Sequence, residues 1–204
     1  MMIFSKERLA YLAVPKTGTS AIERALHRRA SMVVRDPPGL KHTNARGFER
    51  RFRGMFEKGL KSPIQTVAVM REPLDWLGSW YRYRQRSGLS GHPNSTENIS
   101  FDQFIEGYLS DTQPAYSEVG SQARFVTDDG GDLLVNHLFQ YEDLGPFLTF
   151  MQRRLGAEIT LQIVNKSPNR PLDLSAELND ALRQRCAADF QIHAALADGP
   201  LTLG

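Results

Sequence analysis

The chain has one cysteine, Cys186. No disulfide forms within it, and a cysteine-rich metal site is excluded. Long apolar runs are missing too. None approaches the roughly 20 residues that a membrane-spanning helix needs. Met1 to Arg8 mixes lysine, glutamate and arginine with its apolar residues and lacks the core of a secretion signal. Neither sign of charge dominates: 25 Lys and Arg face 23 Asp and Glu, for a net charge of +2. That balance leaves no global polycation for nucleic acid. Repeats and low-complexity tracts are absent. What remains, 204 residues of which 41% are hydrophobic and 24% charged, suits a single soluble domain over 1–204.

The most specific order lies in Tyr11-Leu12-Ala13-Val14-Pro15-Lys16-Thr17-Gly18-Thr19-Ser20. The apolar run Leu9 to Val14 predicts a buried strand and Pro15 to Gly18 a tight turn. Thr19 and Ser20 open a helix to about Ala30, with Ile22, Ala25 and Leu26 on its inner face. This geometry holds anions. The first helical N–H groups lack intrahelical partners, and the peptide dipoles add partial positive charge. Gly18 admits a close ligand, Lys16 supplies a mobile cation, and Thr17, Thr19 and Ser20 supply hydroxyls. The order is not Walker A, which places its lysine after the last glycine. An ordinary strand–helix turn with a solvated lysine is the bland alternative.

A second junction follows. Ile64 to Met70 is nearly all apolar and rich in β-branched residues, as a central parallel strand should be. It ends in Arg71-Glu72-Pro73, with Pro73 placed as a first helical residue and Ser79 further along that helix. A guanidinium is always charged and forks onto phosphate oxygens. The competing reading of Arg71 is a structural ion pair with Glu72 or Asp75.

Pro15-Lys16-Thr17-Gly18-Thr19-Ser20 resembles the 5′-phosphosulfate loop of sulfotransferases that use 3′-phosphoadenosine 5′-phosphosulfate (PAPS), above all the branch that sulfates carbohydrates. Arg71-x-Pro73 with Ser79-x-Tyr81 is similar to that family's 3′-phosphate motif, although Trp76 stands where the family often has a second arginine. The resemblance runs from about Leu9 to His193. It implies an α/β fold, a P-loop-like central parallel sheet flanked by helices on both faces. It implies that Pro15 to Ser20 hold the 5′-phosphate, that Lys16 meets the oxygen bridging phosphorus and sulfur, and that Arg71 and Ser79 hold the 3′-phosphate. PAPS would be the co-substrate, adenosine 3′,5′-bisphosphate (PAP) the product, and no metal would be required. In that branch a histidine or glutamate in the region of His42 takes the acceptor hydroxyl's proton. A basic residue in a loop before the last helix closes on the nucleotide, which nominates Lys166. A glutamine near the acceptor nominates Gln122. Eukaryotic members usually carry a Golgi anchor, so a chain without one is expected either to be bacterial in type and cytoplasmic or to be trimmed from a longer protein.

Other positions are read from their surroundings. His42 sits at a loop mouth, and an imidazole of pKa near 6.5 suits a base. Loop or capping roles are its alternatives, and His92 and His137 are weaker rivals. A helix from about Asn44 to Lys58 buries Phe48, Phe52, Met55 and Phe56 beneath an arginine-rich face. Arg82, Arg84 and Arg86, interleaved with Tyr81 and Tyr83, form either a solvated helix end or a groove for an acidic acceptor, with Arg82 the substrate candidate. Ser87 to Ser100 predicts a long mobile loop. Phe101 to Leu109, Tyr141 to Leu155 and 175–196 predict helices, and Ser31 to Val34 and Leu133 to Phe139 strands. Asp128-Asp129-Gly130-Gly131-Asp132 lacks the distal glutamate of a calcium loop. Two other functions stay open, a kinase of small molecules using ATP and a non-catalytic nucleotide-binding module. The acceptor, a hydroxyl compound with carbohydrate in view, and the oligomeric state are not readable.

Overall fold

The computed structural model describes residues 1–161 and 172–203. It is a mixed α/β structure built on one six-stranded sheet in the order β3-β1-β2-β4-β5-β6. The strands are β1 (Met2–Phe4), β2 (Leu9–Tyr11), β3 (Met32–Val33), β4 (Gln65–Met70), β5 (His137–Gln140) and β6 (Leu201–Thr202). β2, β4 and β5 run parallel, with Tyr11 opposite Val67 and Val69 opposite Phe139. β1, β3 and β6 pair antiparallel at the flanks. The parallel sheet expected from sequence is therefore parallel only at its centre. β1 escaped the sequence reading because three residues show no period. A tight turn at Ser5 to Arg8 folds it back onto β2, where all three of its residues are buried.

The strands alternate as a two-sided sheet requires. Ala68, Met70, Ala10, Leu12 and Leu138 face one side, where α3 (Ala45–Phe48) brings Phe48 and α7 (Gln122–Val126) brings Phe125 and Val126. Val67, Val69, Leu9, Tyr11 and Phe139 face the other. There α1 (Thr19–Leu26) inserts Ile22 and Leu26, and α8 (Gly145–Leu155) inserts Phe147 and Met151. Helices thus cover both faces. A third apolar cluster joins α5 (Pro73–Arg84), α6 (Phe101–Leu109) and α9 (Ala176–Arg185) through Trp76, Tyr81, Phe104 and Leu182.

Several predicted elements are subdivided. The helix expected over 44–58 is α3, a π-helical turn at Glu49–Arg53, and α4 (Gly54–Leu60). A short α2 (Pro38–Lys41) precedes it, started by Pro37 and Pro38. The last helix breaks at Cys186, whose ψ of 28° separates α9 from α10 (Ala187–Ala195). The segment Ser87 to Ser100 is anchored rather than loose. Thr96 is fully buried, its hydroxyl donating to Tyr81 O at 2.8 Å and its N–H to Arg84 O at 3.2 Å. Among the described residues no helix is long and apolar enough to cross a membrane.

Phe147 is fully buried, with ring centroids 6.0 Å from Tyr11 and 5.6 Å from Phe139. Phe147→Ala is expected to destabilise the chain by about 3–5 kcal/mol in urea unfolding. A loss under about 1 kcal/mol would show that α8 does not close this face.

Candidate functional site

The carboxyl ends of the adjacent parallel strands β2 and β4 bring the two sequence motifs together. After β2 the chain makes a turn in which Lys16 has φ 66° and Gly18 φ 71°. A lysine in that left-handed region is strained, a feature that clusters at ligand sites. Gly18 is required twice over, by its φ and because a Cβ there would lie 3.1 Å from the Tyr141 ring. Thr17 is buried, and its hydroxyl donates to Val14 O at 2.8 Å, closing the turn. α1 then begins with no side-chain cap. From Lys16 to Ser20 no backbone N–H donates to an acceptor among the described residues; Ala21 is the first, to Gly18 O.

The turn is held from the β4–α5 junction. Trp76 Nε1 donates to Pro15 O at 2.8 Å, and Arg71 Nη1 donates to Lys16 O at 3.2 Å. Arg71 also pairs with Asp75, through Nε at 2.7 Å and Nη2 at 2.5 Å, and its guanidinium lies 4.7 Å from the Tyr141 ring centre. The structural ion pair foreseen for Arg71 is present, and the same guanidinium lies against the loop. Asp75 is shared with Arg82 Nη2 at 3.2 Å. Ser79, buried on α5, stands four residues after Asp75 and three before Arg82, on the same helical face.

The Lys16 ammonium lies 3.5 Å from the Tyr83 ring centre and 5.0 Å from that of Trp80. Trp76, Trp80 and Tyr83 follow helical spacing along α5, the signal from which this aromatic rest was readable. Burial, with Arg86, Arg71 and Arg84 nearby, lowers the Lys16 pKa to about 7.

His42 ends α2 and reaches back to β2, its Nδ1 lying 2.7 Å from Ala13 O. A carbonyl only accepts, so Nδ1 carries the proton and the neutral ring's lone pair is on Nε2. Burial outweighs the Ala13 bond and holds the His42 pKa below its usual value; Lys41 and Lys16 push the same way. His42 lines a cavity of about 320 Å³ with Pro15, Trp76, Arg46, Phe125 and Arg124. Gln122 also lines it, but its amide is occupied by the Arg71 backbone. Its Oε1 accepts from Arg71 N at 2.9 Å, and its Nε2 donates to Arg71 O at 2.8 Å. Arg82 is absent from this cavity's lining and lies with Asp75 instead. Lys166 falls outside the described residues. Of the rival histidines, His137 sits within β5 against Phe150. The sequence reading missed Tyr83 and Tyr141 as neighbours of the Pro15 to Gly18 turn, because helical and cross-strand contacts place them there, and it offered Asp75 only as one of two partners for Arg71. The described residues contain no group of three or more His, Cys, Asp or Glu side chains placed to hold a metal ion.

Compared with models of protein families and with curated proteins, the chain matches none.

An amine of pKa near 7 becomes nucleophilic well below the pH at which ordinary lysines do. An acylating reagent is expected to modify Lys16 ahead of the other lysines at pH 7.5, with a labelling midpoint near pH 7. Below that midpoint the ammonium form protects it. Peptide mass spectrometry reads the site; uniform labelling of all lysines would refute the lowered pKa.

Proposed function

We propose that the chain is a sulfotransferase that moves a sulfuryl group from PAPS to a hydroxyl acceptor. The observation that carries this reading is the run of undirected N–H groups from Lys16 to Ser20, braced by Arg71 of the adjacent parallel strand. Anions bind beyond the carboxyl ends of parallel strands, where helices begin. Two basic centres on neighbouring junctions suit a ligand with two separated phosphates. Arg71, with Ser79 on the following helix, serves the 3′-phosphate and favours PAPS over ATP.

The co-substrate supplies an activated sulfuryl group on its 5′-phosphate. The amides of residues 16–20 hold that phosphate. His42 Nε2 accepts the acceptor's hydroxyl proton as the acceptor oxygen bonds to sulfur. The bond between sulfur and the bridging oxygen breaks, its electron pair stays on that oxygen, and PAP leaves. Lys16 is the first residue of the amide run, and its ammonium offsets the charge that grows on the bridging oxygen. A bound polyanion favours the ammonium form, so the lowered pKa of Lys16 rises on binding. The Ala13 carbonyl fixes the His42 tautomer, and the lowered pKa keeps the ring neutral and ready at pH 7.

Calorimetry separates this function from a kinase. PAP is expected to bind, with ATP and magnesium binding at least about tenfold more weakly. Arg71→Ala is expected to weaken PAP by about 1.5–3 kcal/mol, the range for hydrogen bonds to charged groups. Binding of ATP with magnesium and none of PAP would reject the proposal.

His42→Gln isolates the chemical step. The variant is expected to bind PAP within about twofold of the parent and to transfer labelled sulfate about 10²–10⁴ times more slowly. Unchanged transfer would assign the base to another residue. PAP binding without transfer in the parent, over a broad acceptor panel, would favour the binding-module reading.

A further inference from the structure

The His42 cavity adjoins a second one of about 360 Å³, and the two share Asn44, Arg46 and Arg124. Their inner end is apolar, with Val14, Trp76 and Phe125, and meets the phosphate loop at Pro15. Their outer end is charged. Arg46, Arg50 and Arg124 stand there against Glu49 and Asp129. Glu49 is already clamped by Arg53, with contacts of 2.5 and 2.6 Å. Asp129 is taken by Arg46. Arg124 and Arg50 are exposed, and no carboxylate among the described residues pairs with either. Arg46 is fixed in place, because its Nη2 also donates to Arg124 O at 3.0 Å. The His42 imidazole therefore opens into a groove with an apolar floor and an unneutralised guanidinium at its mouth.

We infer that this groove selects a small hydroxyl compound that carries an acid group, a carboxylate or a sulfate. The acid is held by Arg124 beside the fixed guanidinium of Arg46, while a hydroxyl of the same molecule faces His42. A guanidinium forks onto either acid, so both are admitted by the same chemistry. The apolar floor takes the hydrocarbon face of the ring or chain between the two. This inference rests on the reading of His42 as the base of a transfer to a hydroxyl. Arg124 is a specificity residue, not a member of the nucleotide site.

Three sugars that share one ring test it: methyl glucoside, methyl glucuronide and methyl glucoside 6-sulfate. Their binding to the full chain is measured by calorimetry, with and without PAP. One or both acidic sugars are expected to bind about tenfold or more tighter than the neutral one. A preference for only one of them names the acid group. Arg124→Ala is expected to cut that preference to under about threefold, and Arg124→Glu to reverse it, with PAP affinity unchanged in both. Equal binding of all three sugars, binding of none, or a preference that survives in Arg124→Ala overturns the inference. The parent's titration with PAP alone is scored separately. Its failure removes the sulfotransferase reading, whereas the acid preference measured without nucleotide stands or falls by itself.

Discussion

Two backbone carbonyls determine how the turn between β2 and α1 presents itself. Pro15 O is taken by the Trp76 indole and Lys16 O by the Arg71 guanidinium, both from the junction after β4. A trans peptide points its N–H opposite to its C=O. Fixing these two oxygens toward α5 therefore aims the N–H groups of Lys16 and Thr17 away from it. The left-handed residues Lys16 and Gly18 complete a turn in which successive amides avoid internal acceptors. The strain of a lysine at φ 66° is held by these two bonds and by the Thr17 hydroxyl on Val14. Trp76, which departs from the related motif, thus has a definite job: an indole N–H is a donor only and suits a carbonyl that must stay in place.

Arg71 is braced from the far end of the chain. Asp189 on α10 is buried and accepts from Gln122 N at 2.9 Å, Ala123 N at 3.0 Å and the Ser121 hydroxyl at 2.9 Å. Burial raises its pKa, and these hydrogen bonds oppose that rise. They also satisfy the first amides of α7. The Gln122 side chain, fixed at that helix start, then pairs with both backbone groups of Arg71. A carboxylate near residue 190 so positions a strand end near residue 70, which in turn holds the loop near residue 16. Glu142 adds a parallel support, accepting from Glu72 N at 2.7 Å and contacting His193 at 3.0 Å.

The two strand–helix junctions were legible in the sequence because each is local. An apolar run, a turn and a helical stripe lie within about 20 residues, and β2–α1 and β4–α5 stand where those patterns fall. Helices on both faces were legible for the same reason. Of the antiparallel flanks, β3 falls within the short strand expected over Ser31 to Val34, but β1 and β6 did not show, since they have three and two residues and owe their pairing to neighbours. Arg71 was legible as a charged strand end, but its Asp75 partner appeared only as one option among two. Gln122 was picked as a substrate contact on resemblance, and the structure gives its amide a backbone partner instead. Nothing local in Gln-Ala-Arg-Phe distinguishes those roles. Arg124, two residues on, attracted no attention because its meaning depends on Arg46, 78 positions away.

The cations at the loop already have company, so the phosphate binding proposed above would turn on what that company is worth. Asp75 is 43% exposed, and an ion pair with so wet a partner contributes about 0–1 kcal/mol. The rest of Lys16 on Tyr83, itself 38% exposed, contributes on the order of 0.5–2 kcal/mol. Hydrogen bonds from charged donors to a phosphate are worth about 1.5–3 kcal/mol each, and a phosphate dianion offers more than one acceptor. Under the proposed function the exchange would therefore favour the ligand at both cations. Asp75 need not leave, because Arg82 remains beside it at 3.2 Å to balance its charge once Arg71 turns to a phosphate. The present partners hold the guanidinium and the ammonium near the loop, where a free side chain would sample water. They keep the cost of ordering low without binding tightly enough to compete.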